Sequence, residues 1–161
     1  MSTEAARHYD WLVQLVGSWD VETTMEVEPG KPPLKTSGRE TVRKVGKVWV
    51  VCENQGSMPG SDEVDEMVIT LGYDDDKKAL VGTWIGPMMD MMWHYRGTLD
   101  AANNSLTLTS EGPSWTDEGG RSRYRDIVTL KSADERELAS EVLLANGSWH
   151  RFMTATQRRT N

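Results

Sequence analysis

Closely spaced turn signals constrain this chain more than any other feature. Pro, Gly, Asn and Asp gather at PGKPP (29 to 33), Val45-Gly46-Lys47, Pro59-Gly60-Ser61-Asp62, Asp74 to Lys78, Gly86-Pro87, Asp100 to Asn104, Asp117 to Gly120, Ala133-Asp134 and Asn146-Gly147. These residue types set or tolerate the backbone angles that reverse a chain. The segments between them have strand composition. In the clearest, Trp19 to Glu28, apolar side chains fall mostly on odd positions and acidic ones mostly on even positions, the period of a half-buried strand. The pattern predicts ten strands, over 17–28, 34–45, 47–57, 65–73, 79–86, 91–100, 104–111, 121–132, 135–145 and 148–159. Only residues 3–16 depart from it. There His8, Trp11, Leu12 and Leu15 lie near one face at helical spacing, Ser2 or Thr3 can cap the start, and Gly17 ends the segment.

Connections this short force each strand to pair antiparallel with its predecessor. A long twisted meander then removes its exposed edges by curling shut. The expected fold is all-β, a ten-stranded antiparallel up-and-down barrel with a short N-terminal helix; a two-sheet sandwich is the alternative, but its long crossovers are not evident. Eight strands enclose a space that side chains fill or that holds one small ligand, so ten should leave more room.

The 161 residues suit a single domain. A net charge of -7 repels phosphate backbones and anionic headgroups, which argues against nucleic acid and membrane surfaces as partners. Cys52 is the single cysteine and sits in the apolar run VWVVC, as expected of a buried, reduced thiol in the cytoplasm. Glu4, His8 and Asp10 interrupt the N-terminal stretch where a secretory signal would be apolar, and no segment is long enough to span a bilayer. The aromatic set, seven Trp and four Tyr against one Phe, favours rings with a polar handle, suited to a wet cavity or an interface.

The helix running into Gly17-Ser18-Trp19 resembles the opening of lipocalin-like, or calycin-like, barrels. The order of His8, Leu12, Leu15-Val16-Gly17-x-Trp19, Gly72-Tyr73-Asp74, Val81-Gly82-Thr83-Trp84 and a last strand ending Gln157-Arg158-Arg159 is similar to the bacterial domain-of-unknown-function 1579 family across almost the whole chain. The resemblance implies a barrel closed at one end by Trp19 with a basic side chain of the last strand, Arg158 or its neighbour Arg159, stacked on it. It implies no activity.

Sequence motifs for chemistry are sparse. No nucleophile elbow is present, and His8, His94 and His150 lie on distant segments. No zinc or calcium spacing occurs, and no motif requires a cofactor. A weaker alternative follows from the resemblance to calycins: haem-binding nitrobindins are similar small barrels with one axial histidine, a part His94 or His150 would take. Met88, Met89, Met91, Met92 and His94 are donors suited to Cu(I), but in an extended segment Met88 and Met92 face away from Met89 and Met91.

The leading expectation is a barrel that binds a small hydrophobic or amphipathic molecule, lined by Trp49, Trp84, Met88, Met91, Trp93, Tyr95, Tyr124 and Trp149, with Arg125, Glu141 and Tyr95 as polar groups. The face of strand eight that turns inward is left open, because Ile127 and Val128 put apolar residues on both sides. Two alternatives stand beside it. The methionine hairpin can serve as an adhesive patch for a homodimer. An Arg125–Glu141 pair inside the cavity would allow chemistry on a bound ligand, although nothing in the spacing demands an enzyme.

Overall fold

A computed structural model describes residues 1–57, 64–114 and 119–160. The turn signal at Pro59 to Asp62 and the first half of that at Asp117 to Gly120 lie outside these residues. Helix α1 spans Thr3–Leu12 and runs into a single 3-10 turn, Val13–Leu15. Ser2 is its N-cap, with the side chain accepting from the Ala5 amide.

Ten strands follow: β1 (Gly17–Met25), β2 (Leu34–Val45), β3 (Trp49–Ser57), β4 (Val64–Asp74), β5 (Ala79–Ile85), β6 (Trp93–Asp100), β7 (Ser105–Pro113), β8 (Arg121–Leu130), β9 (Glu135–Leu143) and β10 (Trp149–Arg159). Each pairs antiparallel with the next, and β1 pairs with β10 to close the barrel. The expected meander is therefore the observed one, and the sandwich is excluded.

Strand alternation decides which side chains enter the barrel. On β1 Trp19 and Val21 are buried while Asp20 and Glu22 are exposed, so odd positions point inward. Register carries that assignment round the wall: Trp19 is opposite Glu40, Val50 opposite Leu71, Tyr73 opposite Leu80 and Gly82 opposite Tyr95. On β8 the charged residues Arg121, Arg123 and Arg125 take the outward positions, leaving Tyr124, Asp126, Val128 and Leu130 inside.

The two ends differ. At the helix end Leu12, Leu15, Trp19, Val42, Val50, Leu71, Tyr73, Leu80 and Leu106 form a closed core. His8 belongs to the same plug; its Nδ1 lies 2.7 Å from the Glu4 carbonyl and its ring 4.6 Å from that of Tyr73. At the other end inward-facing Met25, Met67, Trp84, Trp93, Tyr124 and Met153 are only partly buried. This half of the barrel, the cup, is therefore packed less completely than the plugged base.

The wall is also incomplete at one place. The β6–β7 ladder runs from Asp100↔Ser105 to Arg96↔Thr109 and stops there, whereas β7 continues to pair with β8 as far as Pro113↔Arg121. Toward the mouth β6 and β7 separate. The Trp93 indole leans across this gap onto Gly112, where an added Cβ would overlap its ring.

Candidate functional site

The base of the cup is built around Trp19. Its Nε1 donates to the Leu15 carbonyl at 2.8 Å, tying the strand to the turn before it. Two guanidinium groups sit over the indole, Arg136 of β9 at 4.3 Å and Arg159 of β10 at 4.2 Å from the ring centroid. Arg159 also donates to the carbonyls of Val16 and Gln14, 2.6 and 2.8 Å away. The glycine of the Gly-x-Trp motif follows from this packing: Gly17 has φ +133, and a Cβ there would strike the Arg159 guanidinium.

Of the two expected stacking partners, Arg158 and its neighbour Arg159, it is Arg159 that lies on the indole. Register places Trp19 opposite Arg159, and side chains alternate along β10, so Arg158 points out and pairs with exposed Glu135 at 3.3 Å. Arg136, the second stacking cation, went unrecognised in the sequence because β9 gives no local signal that it faces inward. Arg136 donates to buried Glu40 at 2.8 Å, and the second Glu40 oxygen accepts from Asn54 and Gln157 at 3.1 and 3.2 Å. One buried carboxylate is therefore matched by a cation and two amides.

Higher in the cup a second polar group lies beneath aromatic rings. The Tyr95 hydroxyl donates to one oxygen of Asp126 at 2.6 Å, and the Ser140 hydroxyl donates to the other at 2.6 Å. Burial raises the Asp126 carboxyl above the ordinary aspartate range, and the two hydroxyls only partly oppose it. Burial also drives the Tyr95 phenol well up, reinforced by the Asp126 charge. Cys52 is nearby and completely enclosed; burial, then the Glu40 charge, push its thiol well above the usual value, so it is a poor nucleophile.

One rung toward the mouth, Trp93 and Tyr124 meet edge to face, with centroids 5.2 Å apart at 89°. Tyr124 makes a second such contact with Phe152 at 6.1 Å, and its hydroxyl donates to the Pro113 carbonyl at 2.6 Å. Trp84 lies opposite Trp93 across the β5–β6 ladder. His150 is on the inward side of β10, with Nε2 3.0 Å from a Glu26 carboxylate oxygen at the rim.

The structure brings together Trp84, Trp93, Tyr95 and Tyr124 from the expected cavity set. It places Trp49, Arg125, Glu141 and Trp149 on the outer surface, because each falls on the outward parity of its strand. Trp49 covers Gly72 from outside, where a Cβ would overlap its ring. Arg125 donates to Glu141 at 2.6 Å and stacks on Trp149 at 4.1 Å, with Arg151 donating to the other Glu141 oxygen at 3.0 Å. The anticipated charged pair exists, but outside the cup.

On the methionine hairpin, Met88 and Met92 are exposed and Met89 and Met91 half-buried. His94 faces outward into a groove of about 610 Å³ that runs along β6, β7 and β8 over the gap in the wall. Among the described residues no group of three or more His, Cys, Asp or Glu is arranged to hold a metal ion. Asp126 and Ser140, which face the cup, escaped the sequence reading; the odd-numbered arginines of β8 were the signal that assigns Asp126 to the inside.

Together, fold and site define a class: closed up-and-down barrels with one plugged end and partly exposed, inward-facing aromatic rings toward the other. Within that class the chain belongs to the DUF1579 family, described as proteins of unknown function, whose sequence model matches residues 4–159. Two solved structures share the architecture. Rv2717c from M. tuberculosis aligns with a TM-score of 0.68 at 14% identity, over 97% of this chain and 99% of that one. The S-type phycobiliprotein lyase CPES from Guillardia theta aligns with a TM-score of 0.61 at 12% identity, over 94% and 92%. Likeness at these identities shows the fold alone. No curated protein matches the sequence. Among the described residues no helix is long and apolar enough to cross a membrane.

Proposed function

We propose that the protein binds a small, largely aromatic or amphipathic molecule in the open half of its barrel. One observation carries this reading: Trp84, Trp93 and Tyr124 point into a closed barrel yet remain partly exposed. Rings that merely filled a core would be enclosed, as Trp19 is at the base. A ligand laid against them would gain on the order of 25 cal/mol for each Å² of apolar surface removed from water. The Tyr95–Asp126–Ser140 group beneath would set its orientation.

The test is intrinsic fluorescence and heteronuclear NMR against fatty acids, retinoids, flavins and tetrapyrroles. A binder should shift the indole resonances of Trp84 and Trp93 while leaving that of Trp19 in place, and Trp93→Ala should weaken it. Shifts confined to Trp49 and Trp149 would overturn the reading, since those rings lie outside.

A second reading rests on Ile85, Met88 and Met92, which are 43%, 58% and 44% exposed around one hairpin. Such a patch suits contact with a second copy of the chain. Sedimentation of wild type against Met88→Ser/Met92→Ser decides it: a dimer converted to monomer supports the patch, and unchanged behaviour removes it.

A further inference from the structure

The barrel treats two of its inward-facing carboxylates differently. Glu40 at the base receives Arg136, Asn54 and Gln157. Asp126, higher up, receives two hydroxyls, and among the described residues no Lys, Arg or His is hydrogen bonded or ion-paired to it. Arg136, the cation deepest inside, is already held by Glu40, and His150 at the rim lies on Glu26. Among the described residues a further carboxylate on an inward position of this half is Asp65, opposite Gly56, which adds negative charge and no compensation. A carboxylate withdrawn from water without a counter-ion is costly, and a fold can readily avoid it with an amide or an apolar residue.

Position makes this group a ligand contact and not only a structural one. Tyr95 and Asp126 each lie two residues below Trp93 and Tyr124 on the same strands, about 7 Å deeper at ~3.4 Å per residue. Asp126 is partly exposed although it lies on the inward side of β8. A flat ring stacked on Trp93 and Tyr124 would therefore carry one end directly to the carboxylate. Its two oxygens each retain acceptor capacity beyond the single hydroxyl bound.

We propose that the molecule bound in the cup carries a cationic nitrogen next to an aromatic ring and docks that nitrogen on Asp126, completing the charge balance the protein leaves open. This rests on the cup being the binding site, and it adds the charge class of the ligand. The aromatic walls would support the same choice, since ring faces attract cations.

Three probes that share one ring and differ in charge test it: naphthylmethylammonium, naphthylmethanol and naphthoate, titrated by calorimetry at pH 7 with the Trp93 indole followed by NMR. Wild type should bind the cation at least about tenfold more tightly than the alcohol, and the anion most weakly, as expected for a charge-assisted hydrogen bond. Asp126→Asn should erase the preference for the cation, bringing the ratio of cation to alcohol affinity within that variant to about one. As a check that needs no variant, saturation with the cation should lower the Asp126 carboxyl pKa measured by carbon NMR, and the alcohol should not. Equal binding of all three probes leaves the cup in place and overturns this inference alone, as does a preference that survives in Asp126→Asn. If none of the three binds or perturbs Trp93, the cup reading falls and this inference with it.

Discussion

Trp93 stands edge-on to Tyr124 with their ring centroids 5.2 Å apart, directly above the Tyr95–Asp126 hydrogen bond on the same two strands. This relation gives the open half of the barrel an aromatic collar over a polar floor. It depends on the parting of β6 and β7, which lets the Trp93 indole lie across Gly112.

Gly112→Ala is therefore expected to expel the Trp93 ring from its place. Overpacking of this kind costs about 1 to 3 kcal/mol. Urea denaturation should show that loss together with a red-shifted emission, and in Trp93→Ala the same Gly112 change should cost far less. Equal costs in the two backgrounds would mean that the glycine serves the backbone and not the ring.

At the base, Glu40→Ala leaves Arg136 buried without its anion. Removing one partner of a buried pair costs about 3 to 5 kcal/mol. The exposed Arg43–Glu53 pair gives the contrast: Glu53→Ala should change stability by less than about 1 kcal/mol. The two denaturant midpoints, measured side by side, check both statements.

Arg159 and Arg158 are neighbours with opposite assignments. Arg159→Met loses the stacking on Trp19 and the bonds to two carbonyls, an expected cost of about 2 to 3 kcal/mol, whereas Arg158→Met loses an exposed pair and should be nearly neutral. Thermal melts of the two variants distinguish stacking by position 159 from stacking by position 158.

Acid should act on two carboxylates with opposite sign. Burial pushes Glu141 up, but the hydrogen bonds and charges of Arg125 and Arg151 outweigh it, and its pKa ends below the ordinary range. Its contribution to stability is fully present above the unfolded pKa of about 4.3 and is lost as the pH falls through the lower folded value. Asp126 has a raised pKa, so its contribution is greatest when protonated and declines as the pH climbs from the unfolded value of about 3.9 to the folded one. Urea midpoints from pH 2.5 to 7 should show Glu141→Gln flattening the acid side and Asp126→Asn flattening a decline of opposite slope.

Much of the architecture was legible because its determinants are local. The turn clusters and the alternation of Trp19 to Met25 specify strands one at a time, and short connections leave antiparallel neighbours as the only pairing. The ten strands, the helix and the Gly17-x-Trp19 junction all follow from such near-neighbour constraints. The candidate site was legible only in part. Trp84, Trp93, Tyr95 and Tyr124 do face inward, but Trp49, Trp149, Arg125 and Glu141 lie outside, because composition marks a side chain as suitable for a cavity without saying which way it faces.

Direction was decided by the closed sheet. A one-residue shift along a strand sends every side chain to the opposite face, and only pairing with neighbours of known parity fixes that choice. The sequence alone therefore determined a closed antiparallel barrel, and its resemblance to calycin-like barrels implied the plugged end. Tertiary structure decided that Arg159 and not Arg158 meets Trp19, that Glu40 finds its cation 96 residues away in Arg136, and that Asp126 faces the cup with hydroxyls but no counter-ion. The first two join groups from strands far apart in sequence, where no local pattern can register that two side chains share the same interior.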